Sequence, residues 1–455
     1  MNIVVVGGGE VGYSLAERLT REDHNVVVID SDEKAIERAQ DHLDVMTLHG
    51  SAASMILLQE AGVRTADLLI AVTSSDEMNM ICCLIAKRLG TQRTVARIRN
   101  PEYEHEMHML HDELEIDLIM NPERMAAMEI SRLLRFPSAM NIETFCRGRV
   151  EMIEFKAKEK DPFIGKTLIE LGKKYKNSPI LFATIIRDGK PFIPDGNTRI
   201  FEGDFVYVLG ELPCITAFFK NIGRNSENVR DAMIVGAGRI AFYLCRMMEN
   251  MGMRPRVIER DLEKCEYFNE ALPGVLVLNG DGIDQELLDA EGIANMDAFI
   301  ALTSRDEVNV ISSMYAHYCK VPKIITHIGL LSYMSILNNT YMDNCVVSSK
   351  GIVADHIMWY VRGLQGGIDS EAIQALYSIG DDDTEAVEFT ACTGMRCLNV
   401  PLQALRTKKN ILVGIIMRGK EIIIPRGNDS IQAGDNVIII SCGWTLHHLD
   451  DILAG

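Results

Sequence analysis

The stretch 1–30, MNIVVVGGGEVGYSLAERLTREDHNVVVID, decides the fold of this chain. An apolar run from Asn2 to Val6 enters a glycine turn, Gly7-x-Gly9-x-x-Gly12. A helical pattern follows, and a second apolar run ends at Asp30. This order predicts a strand, a glycine loop, a helix, and a second strand that ends in an acid, which is typical of an α/β doubly wound sheet.

The glycine loop predicts a site for the phosphates of a nucleotide. Gly7 permits the sharp turn, Gly9 lets a pyrophosphate approach the backbone, and Gly12 allows close packing of the helix. The N–H groups of the first helical turn then face the phosphates. Asp30 is 18 residues after Gly12, where its carboxylate can bind both adenosine ribose hydroxyls and repel a 2'-phosphate. We therefore expect a dinucleotide or adenine nucleotide, with NAD favoured over NADP.

Composition limits the class of protein. The 455 residues are enough for three or four domains, and 47% hydrophobic with 24% charged residues is ordinary for globular domains. The apolar runs are far shorter than the roughly 20 residues of a membrane span, so we expect a soluble protein. Residues 1–6 lead directly into the glycine loop, so we expect no signal peptide. Eleven cysteines without a CxxC pair indicate buried thiols in a reducing cytosol, and a net charge of −18 argues against nucleic acid as a partner.

The opening motif occurs a second time. The stretch MIVGAGRIAFYLCRMM, which begins at Met233, contains Gly236-x-Gly238-x-x-Ala241, and Glu259 again follows the third small residue by 18 positions. The offset between the copies is 229, both from Gly7 to Gly236 (236 − 7) and from Asp30 to Glu259 (259 − 30). Internal repeats of this kind indicate a duplicated architecture.

The repeat continues downstream. LLIAVTSSDEMNM matches FIALTSRDEVNV, and ARIRNPEY, ending at Tyr103, corresponds to THIGLLSY, ending at Tyr333. Strands at 117–119 and 345–347 and helices at 122–134 and 350–361 are predicted to complete two Rossmann-like lobes with doubly wound parallel sheets. The predicted Rossmann-like lobes are residues 1–139 and 225–370.

Each Rossmann-like lobe is followed by a segment with a different period. Residues 150–222 and 384–455 match each other at an offset of 231, and they alternate apolar and polar residues between glycine and proline turns. We predict two small α+β lobes, 140–224 and 371–455, each with a terminal helix. The matched positions are Arg187 with Arg418, Pro194 with Pro425, Gly196 with Gly427, and Gly203-Asp204 with Gly434-Asp435.

Polar residues after the other predicted strands are further candidates for the site. Thr73 and Ser74 follow the fourth strand, where their hydroxyls either contact a ligand or cap the helix that begins near Asp76. Arg97 ends the fifth strand and pairs either with phosphate or with a surface carboxylate. Gly50-Ser51 and Gly280-Asp281 follow the third strand of each lobe, either near an adenine or as simple turns.

A histidine run offers a weaker alternative. His105, His108 and His111 are spaced three apart, but side chains six positions apart diverge around a helix and the run is rich in carboxylates, so we expect a solvated face and no metal site. Met78, Met80, Met107 and Met109 are expected to fill core or dimer contacts.

The tandem lobes, Asp30, AVTSSDEMNM and ARIRNPEY together resemble, over essentially the whole length, the TrkA family of regulators of Trk potassium uptake. The lobes of that family are known as regulator-of-potassium-conductance (RCK) domains. The resemblance implies an NAD site in the first lobe and a counterpart in the second, where His327 replaces the arginine. The positions carried over are Gly7, Gly8, Gly9, Glu10, Val11, Asp30, Thr73, Ser74 and Arg97, and Gly236, Ala237, Gly238, Arg239, Ile240, Glu259, Thr303 and Ser304, with Asp281 as a further candidate.

The resemblance also implies a function. The chain would bind NAD⁺, NADH, ATP or ADP and gate a TrkH-type potassium-translocating membrane subunit, as a cytoplasmic homodimer or homotetramer on the inner face of the membrane. No catalytic residue is expected. The alternatives are an NAD-dependent dehydrogenase, which would need a proton donor near the nicotinamide, and a nucleotide sensor for another partner. His447 and His448 are the nearest candidates for such a donor, and we expect them on the surface of the last helix.

The two nucleotide sites are predicted to be unequal. Glu259 is one methylene longer than Asp30 and must fold back to make the same contacts, and the second lobe has His327 where the first has Arg97. The first site is therefore expected to bind NAD more tightly, unless Asp281 or Arg239 compensates in the second.

Overall fold

The computed structural model describes residues 1–101, 103, 113–175, 179–224, 229–330, 333, 345–365, 373–380 and 384–454. These residues form four β-sheets. The described residues also divide into two compact units. One unit lies within 1–131, 230–342 and 346–358, and the other within 132–229, 343–345 and 359–455.

The first sheet has six strands in the order β3-β2-β1-β4-β5-β6, all parallel. Its central strands are buried on both faces, because helices cover both sides of a parallel sheet. The strands are β1 (Asn2–Val6), β2 (Asn25–Asp30), β3 (Met46–His49), β4 (Leu68–Ala71), β5 (Arg93–Arg97) and β6 (Leu118–Met120). The helices are α1 (Glu10–Arg21), α2 (Glu33–His42), α3 (Met55–Glu60), α4 (Asp76–Leu89) and α5 (Pro122–Arg135).

The second sheet has five antiparallel strands in the order β10-β9-β11-β8-β7. The aromatic rings of Phe155, Phe163 and Phe218 pack together at centroid distances of 5.9–6.4 Å, and all three side chains are buried. The strands are β7 (Asn141–Phe145), β8 (Val150–Lys156), β9 (Leu181–Arg187), β10 (Lys190–Phe192) and β11 (Phe205–Gly210), and the helices are α6 (Leu168–Lys174) and α7 (Leu212–Asn221).

The third sheet repeats the first, in the order β14-β13-β12-β15-β16-β17. Strands β12 to β16 pair in parallel. The strands are β12 (Asp231–Val235), β13 (Arg254–Glu259), β14 (Leu276–Asn279), β15 (Ala298–Ala301), β16 (Lys323–His327) and β17 (Cys345–Val347). The helices are α8 (Arg239–Asn250), α9 (Leu262–Ala271), α10 (Gln285–Ala290), α11 (Asp306–Tyr318) and α12 (Ser349–Gln365).

The fourth sheet has five antiparallel strands in the order β18-β19-β22-β20-β21. The predicted fold class, two doubly wound parallel sheets each followed by an α+β segment, is therefore confirmed. The predicted domain boundaries stay a prediction, since the compact units group sheets of the same kind rather than each repeat. The strands are β18 (Ile373–Ser378), β19 (Thr384–Thr390), β20 (Ile411–Arg418), β21 (Glu421–Ile423) and β22 (Asn436–Cys442).

The predicted terminal helix is present in the first copy, as α7, but is wrong for the second. There the chain ends in a short 3₁₀ helix, Leu449–Ile452, and His447 and His448 precede it. The carboxylate of Asp450 accepts the backbone N–H groups of Arg396 and Cys397, and Asp451 accepts those of His447 and His448. These side-chain bonds compete with a longer helix, as aspartate commonly does.

The residues that repeat between the two antiparallel sheets form the same ion pair twice. Arg187 donates from Nε and Nη2 to Asp204 at 2.8 and 2.7 Å, and Arg418 does so to Asp435 at 2.9 and 2.7 Å. Both aspartates are only 2% exposed, and each also accepts a backbone N–H. The repeat at this position therefore has a structural role.

Asp204→Asn is expected to destabilise the fold by about 2–4 kcal/mol, because it leaves a bidentate guanidinium without its charged partner. Asp435→Asn should cost a similar amount, since the geometry is the same. Urea unfolding measures both. Asp188→Asn is the matched control: this exposed residue has φ 52°, which asparagine adopts readily, and an equal loss of stability there would contradict the structural role.

Candidate functional site

A cleft of ≈ 480 Å³ opens at the carboxyl ends of β1, β2, β4 and β5, which is where doubly wound sheets bind ligands. This volume lies in the usual range of ligand pockets. Gly50 and Ser51 also line this cleft, which we call the first cleft. The predicted site residues among its lining are Gly7, Gly9, Glu10, Val11, Asp30, Thr73, Ser74 and Arg97.

The glycine loop has the conformation that its sequence predicts. Gly7 has φ 106°, and a Cβ there would lie 3.0 Å from backbone atoms of Val72 and Thr73. A Cβ on Gly12 would lie 1.7 Å from the carbonyl oxygen of Gly7, so the helix approaches the loop itself at this position. A Cβ on Gly9 would meet open space, so this glycine leaves room at the N-terminus of α1 for a ligand.

Asp30 holds the glycine loop against the end of β2. Its carboxylate accepts the backbone N–H of Gly8 at 2.5 Å and that of Asp32 at 2.8 Å. Gly8 does not line the cleft, and its contribution is this bond, which holds the loop to Asp30. A carboxylate has about four acceptor positions, so two remain for ribose hydroxyls.

Thr73 is already hydrogen-bonded inside its own loop. Its hydroxyl donates to Asn79 Oδ1 at 2.7 Å, and its N–H donates to the same atom at 2.9 Å. The alternative role as a helix cap is wrong for Thr73 and Ser74, because Ser75, the residue immediately before α4, accepts the Met78 N–H.

Asn79 was missed by the sequence reasoning. It is fully buried and also donates to the carbonyl oxygen of Arg97 at 2.8 Å, so it joins the loops after β4 and β5. Its counterpart Asn309 makes the same bonds to Thr303 and to the carbonyl oxygen of His327. The recurrence of this asparagine at an offset of 230 was the available signal.

Arg97 is partly buried at the edge of the first cleft. Its Nη2 donates to the carbonyl oxygen of Thr73 at 2.6 Å, and its buried Nε lacks a hydrogen-bond partner among the described residues. Burial lowers the pKa of the Arg97 guanidinium, which remains charged. The alternative surface salt bridge is wrong, since no described carboxylate lies within ion-pair distance of it.

A second cleft of ≈ 410 Å³ lies at the same place in the third sheet. Its lining includes the predicted residues Gly236, Gly238, Arg239, Ile240, Glu259, Asp281, Thr303 and Ser304, together with Gly280 and His327. Ala237 does not line the cleft but has the same role as Gly8, because its N–H donates to Glu259.

Glu259 makes the contacts of Asp30 despite its extra methylene. It accepts the N–H of Ala237 at 2.8 Å and that of Asp261 at 3.0 Å, and it is only 9% exposed. Glu259 therefore reaches the same two backbone N–H groups as Asp30, and the weaker binding of NAD at the second site stays a prediction. His327 differs from Arg97 as expected: it contacts Ser349 Oγ at 3.2 Å, and burial lowers its pKa.

Each cleft also receives one side chain from the other parallel-sheet lobe. Lys350, at the start of α12, lines the first cleft, and Glu123, at the start of α5, lines the second. The two residues are each the third after the last strand of their own lobe, and they carry opposite charges. Within the part of the chain that the structure describes, Oε2 of Glu123 is buried without a hydrogen-bond partner, and burial raises the pKa of this carboxyl group.

The other predicted candidates are a histidine run and its neighbouring methionines. The histidines 105, 108 and 111 and the methionines 107 and 109 lie outside the described residues. Within the described ranges, no group of His, Cys, Asp or Glu is arranged to hold a metal ion. The helices of those ranges include none that is long and apolar enough to cross a membrane.

Comparisons with known proteins match this architecture. The model of the TrkA-N domain matches residues 3–122 and 232–348, and that of the TrkA-C domain matches 152–223. The Trk system potassium uptake protein TrkA of Haemophilus influenzae is 31% identical over 445 residues, covering 96% of this chain and 95% of the relative. A TrkA homolog of Methanosarcina mazei is 32% identical over 451 residues, covering 97% of each.

Solved structures share the fold. The RCK domain of GsuK superposes with a TM-score of 0.64 at 17% identity, covering 97% of this chain and 92% of that one. A GsuK channel structure described as bound to NAD has the same TM-score at 18% identity, covering 97% of this chain and 76% of that one. At this identity the likeness establishes the fold alone.

The second cleft should bind NAD more tightly as the pH falls between about 6.5 and 4.5, the ordinary pKa values of histidine and glutamate. Glu123 has a raised pKa, so it loses its charge at a pH above the ordinary glutamate value, and His327, whose pKa is lowered, gains charge only below the ordinary histidine value. Both changes favour a pyrophosphate. Calorimetric titration of Gly9→Val, which blocks the first cleft, measures the effect.

Glu123→Gln combined with His327→Gln is the control for this pH dependence. The double variant should bind NAD with the same affinity across the window. If Gly9→Val, with Glu123 and His327 unchanged, binds NAD with an affinity that stays constant or falls as the pH decreases, the roles of both residues are contradicted.

Proposed function

The chain belongs to the TrkA family of Trk system potassium uptake proteins, and from this we propose that it binds NAD(H) or an adenine nucleotide in both clefts and thereby gates a TrkH-type potassium-translocating membrane subunit. The observation that carries the proposal is the constellation that occurs twice, a glycine loop at a helix N-terminus with an acid at the end of the second strand.

The adenosine half of the ligand is assigned to the acid. Asp30 and Glu259 each accept two backbone N–H groups, which leaves two acceptor positions for the ribose hydroxyls. A 2'-phosphate would meet a carboxylate there, so NAD is favoured over NADP. Thr73, Ser74, Thr303 and Ser304 are assigned to the opposite wall, since they follow the fourth strand of each lobe.

The phosphates are assigned to the helix N-termini. In the first cleft, Gly9 leaves open space at the start of α1, and Arg97 and Lys350 supply positive charge. The Arg97 Nε that lacks a protein partner fits a phosphate oxygen, because a charge-assisted bond satisfies a buried donor.

Regulation of a membrane subunit is supported by the family, since the relatives are named as potassium uptake proteins; the chain is not an enzyme. We assign it to the cytoplasmic face of the membrane and to a homodimer or homotetramer. A ligand shifts a gating equilibrium only by its different affinity for the two states.

The clefts should differ in ligand preference. The first is lined by Arg97 and Lys350 but also by Glu10, Asp30 and Asp32, and Glu10 is already paired with Arg38 at 2.7 Å. The second is lined by four basic residues without ion pairs among the described residues, against Glu123, Glu259 and Asp281. The four basic residues are Arg239, Arg260, Lys264 and Arg305.

We therefore expect the first cleft to favour NAD and the second to favour the more highly charged ATP. The ratio of ATP to NAD affinity should be at least about tenfold higher in Gly9→Val, where the second cleft remains, than in Gly238→Val. Calorimetry without divalent cations measures the ratio in each variant.

The matched variants for this preference lie on the third-sheet lobe. Arg260→Gln with Lys264→Gln should lower the ATP affinity of the second cleft, and the exposed Lys320→Gln should not. An equal ratio in the two glycine variants would contradict the assignment of ligands by charge. Nucleotide binding that persists in the Gly9→Val/Gly238→Val double variant would overturn the clefts as nucleotide sites.

The regulatory proposal is tested with the chain and a TrkH-type subunit reconstituted in vesicles. Nucleotides that change potassium flux should bind with affinities that the membrane subunit changes by the same factor, typically about 5 to 150-fold, because coupling is reciprocal. A flux response without a change in affinity would sink the mechanism. If nucleotides change neither the potassium flux nor their own affinity in the presence of the membrane subunit, and the chain does not co-purify with that subunit, a sensor for another partner is favoured.

A further inference from the structure

A cavity of ≈ 460 Å³ lies in the unit that contains the antiparallel sheets. The end of α5, the turn between β7 and β8, and the strands β18 and β19 contribute to its lining. None of its residues belongs to the two clefts. The residues that matter here are Arg132, Arg135, Arg147, Glu151, Tyr377 and Glu388.

The cavity has more positive charge than its carboxylates neutralise. Arg132 and Arg147 form no hydrogen bond or ion pair with any described residue. Arg135 reaches Glu151 at 3.5 Å. Glu388 is occupied by uncharged donors, the backbone N–H of Cys146 at 2.7 Å and the side-chain amide of Asn436 at 2.8 Å.

The turn that presents Arg147 has an unusual backbone. Cys146, Arg147 and Gly148 have φ values of 52°, 56° and 83°, so two residues with side chains adopt the left-handed conformation in succession. The bond from the Cys146 N–H to Glu388, which lies on β19, holds this turn in place. Backbone strain of this kind concentrates at ligand clamps, because a simple connection does not need it.

Glu151 supplies an independent observation. It is 2% exposed, and its Oε2 is buried without a hydrogen-bond partner among the described residues. Burial raises the pKa of this carboxyl group, although Arg135 and Arg132 oppose the shift. An unsatisfied buried carboxyl is costly, and a protonated one can donate to the oxygen of a bound anion.

We propose that this cavity binds a small, multiply charged oxyanion, held between Arg132 and Arg147 with Glu151 at its base. Guanidinium groups recognise phosphate and carboxylate alike through paired charge-assisted bonds. The ligand is therefore either a phosphorylated or a polycarboxylate metabolite, and pyrophosphate and citrate serve as probes for the two. This site does not depend on nucleotide binding in the clefts.

Calorimetric titration of the full chain tests the proposal in the Gly9→Val/Gly238→Val background, so that the clefts do not contribute. One or both probes should bind saturably, and hydrogen exchange should slow in the segment 141–156. Arg132→Gln and Arg147→Gln should each weaken binding by at least about tenfold. The matched control is Arg426→Gln, which removes the same charge from an exposed site on the same unit and should leave binding unchanged.

Glu151→Gln separates the role of the buried carboxyl. It replaces the acid with a neutral donor and frees Arg135, so it should retain or strengthen binding. Failure of both probes to bind at millimolar concentration would overturn the site. Equal losses in the Arg132, Arg147 and Arg426 variants would also overturn it, since they would show a general charge effect, and a large loss in Glu151→Gln would overturn the role of that residue.

Discussion

The rest of each parallel-sheet lobe depends on one carboxylate that holds the glycine loop. Asp30 in the first lobe and Glu259 in the second accept the N–H of the second loop residue and the N–H two positions beyond the acid itself. These charge-assisted bonds connect the ends of two adjacent strands and fix where the helix N-terminus points. A nucleotide that binds to the remaining acceptor positions would find a site already in place, because the same side chain holds the loop.

Buried asparagines complete this scaffold from the other side. Asn79 and Asn309 join the loops after the fourth and fifth strands through two backbone carbonyls and one backbone N–H each. A buried amide must find partners for all its polar atoms, so its position tolerates little change. Both copies therefore share one rigid framework, and the differences between the clefts lie in the side chains at the rim.

Charge at the rim is the property in which the two lobes have diverged. At the positions of Glu10 and Ser31 in the first lobe, the second has Arg239 and Arg260. Lys350, which lines the first cleft, and Glu123, which lines the second, also carry opposite charges. Since each of these two lies at the start of a helix of the other lobe, an anion bound in either cleft would face side chains of both lobes. Such an arrangement suits a regulator, in which binding must alter more than the domain that binds.

The sequence by itself determined the duplicated order, the doubly wound class of the parallel sheets and the placement of Asp30 and Glu259, because glycine turns, apolar periodicity and an offset of 229 are local or repetitive signals. It also located the Arg187 and Arg418 repeats without revealing that they pair with Asp204 and Asp435. Tertiary structure alone decided that the hydroxyl of Thr73 donates to Asn79 and that Glu259 makes the same backbone contacts as the shorter Asp30. It also decided that Lys350 lines the cleft of the first lobe and Glu123 that of the second. It also brought Arg132 and Arg147 into the lining of one cavity. These features depend on contacts between residues far apart in the chain, where packing and not periodicity selects the partner.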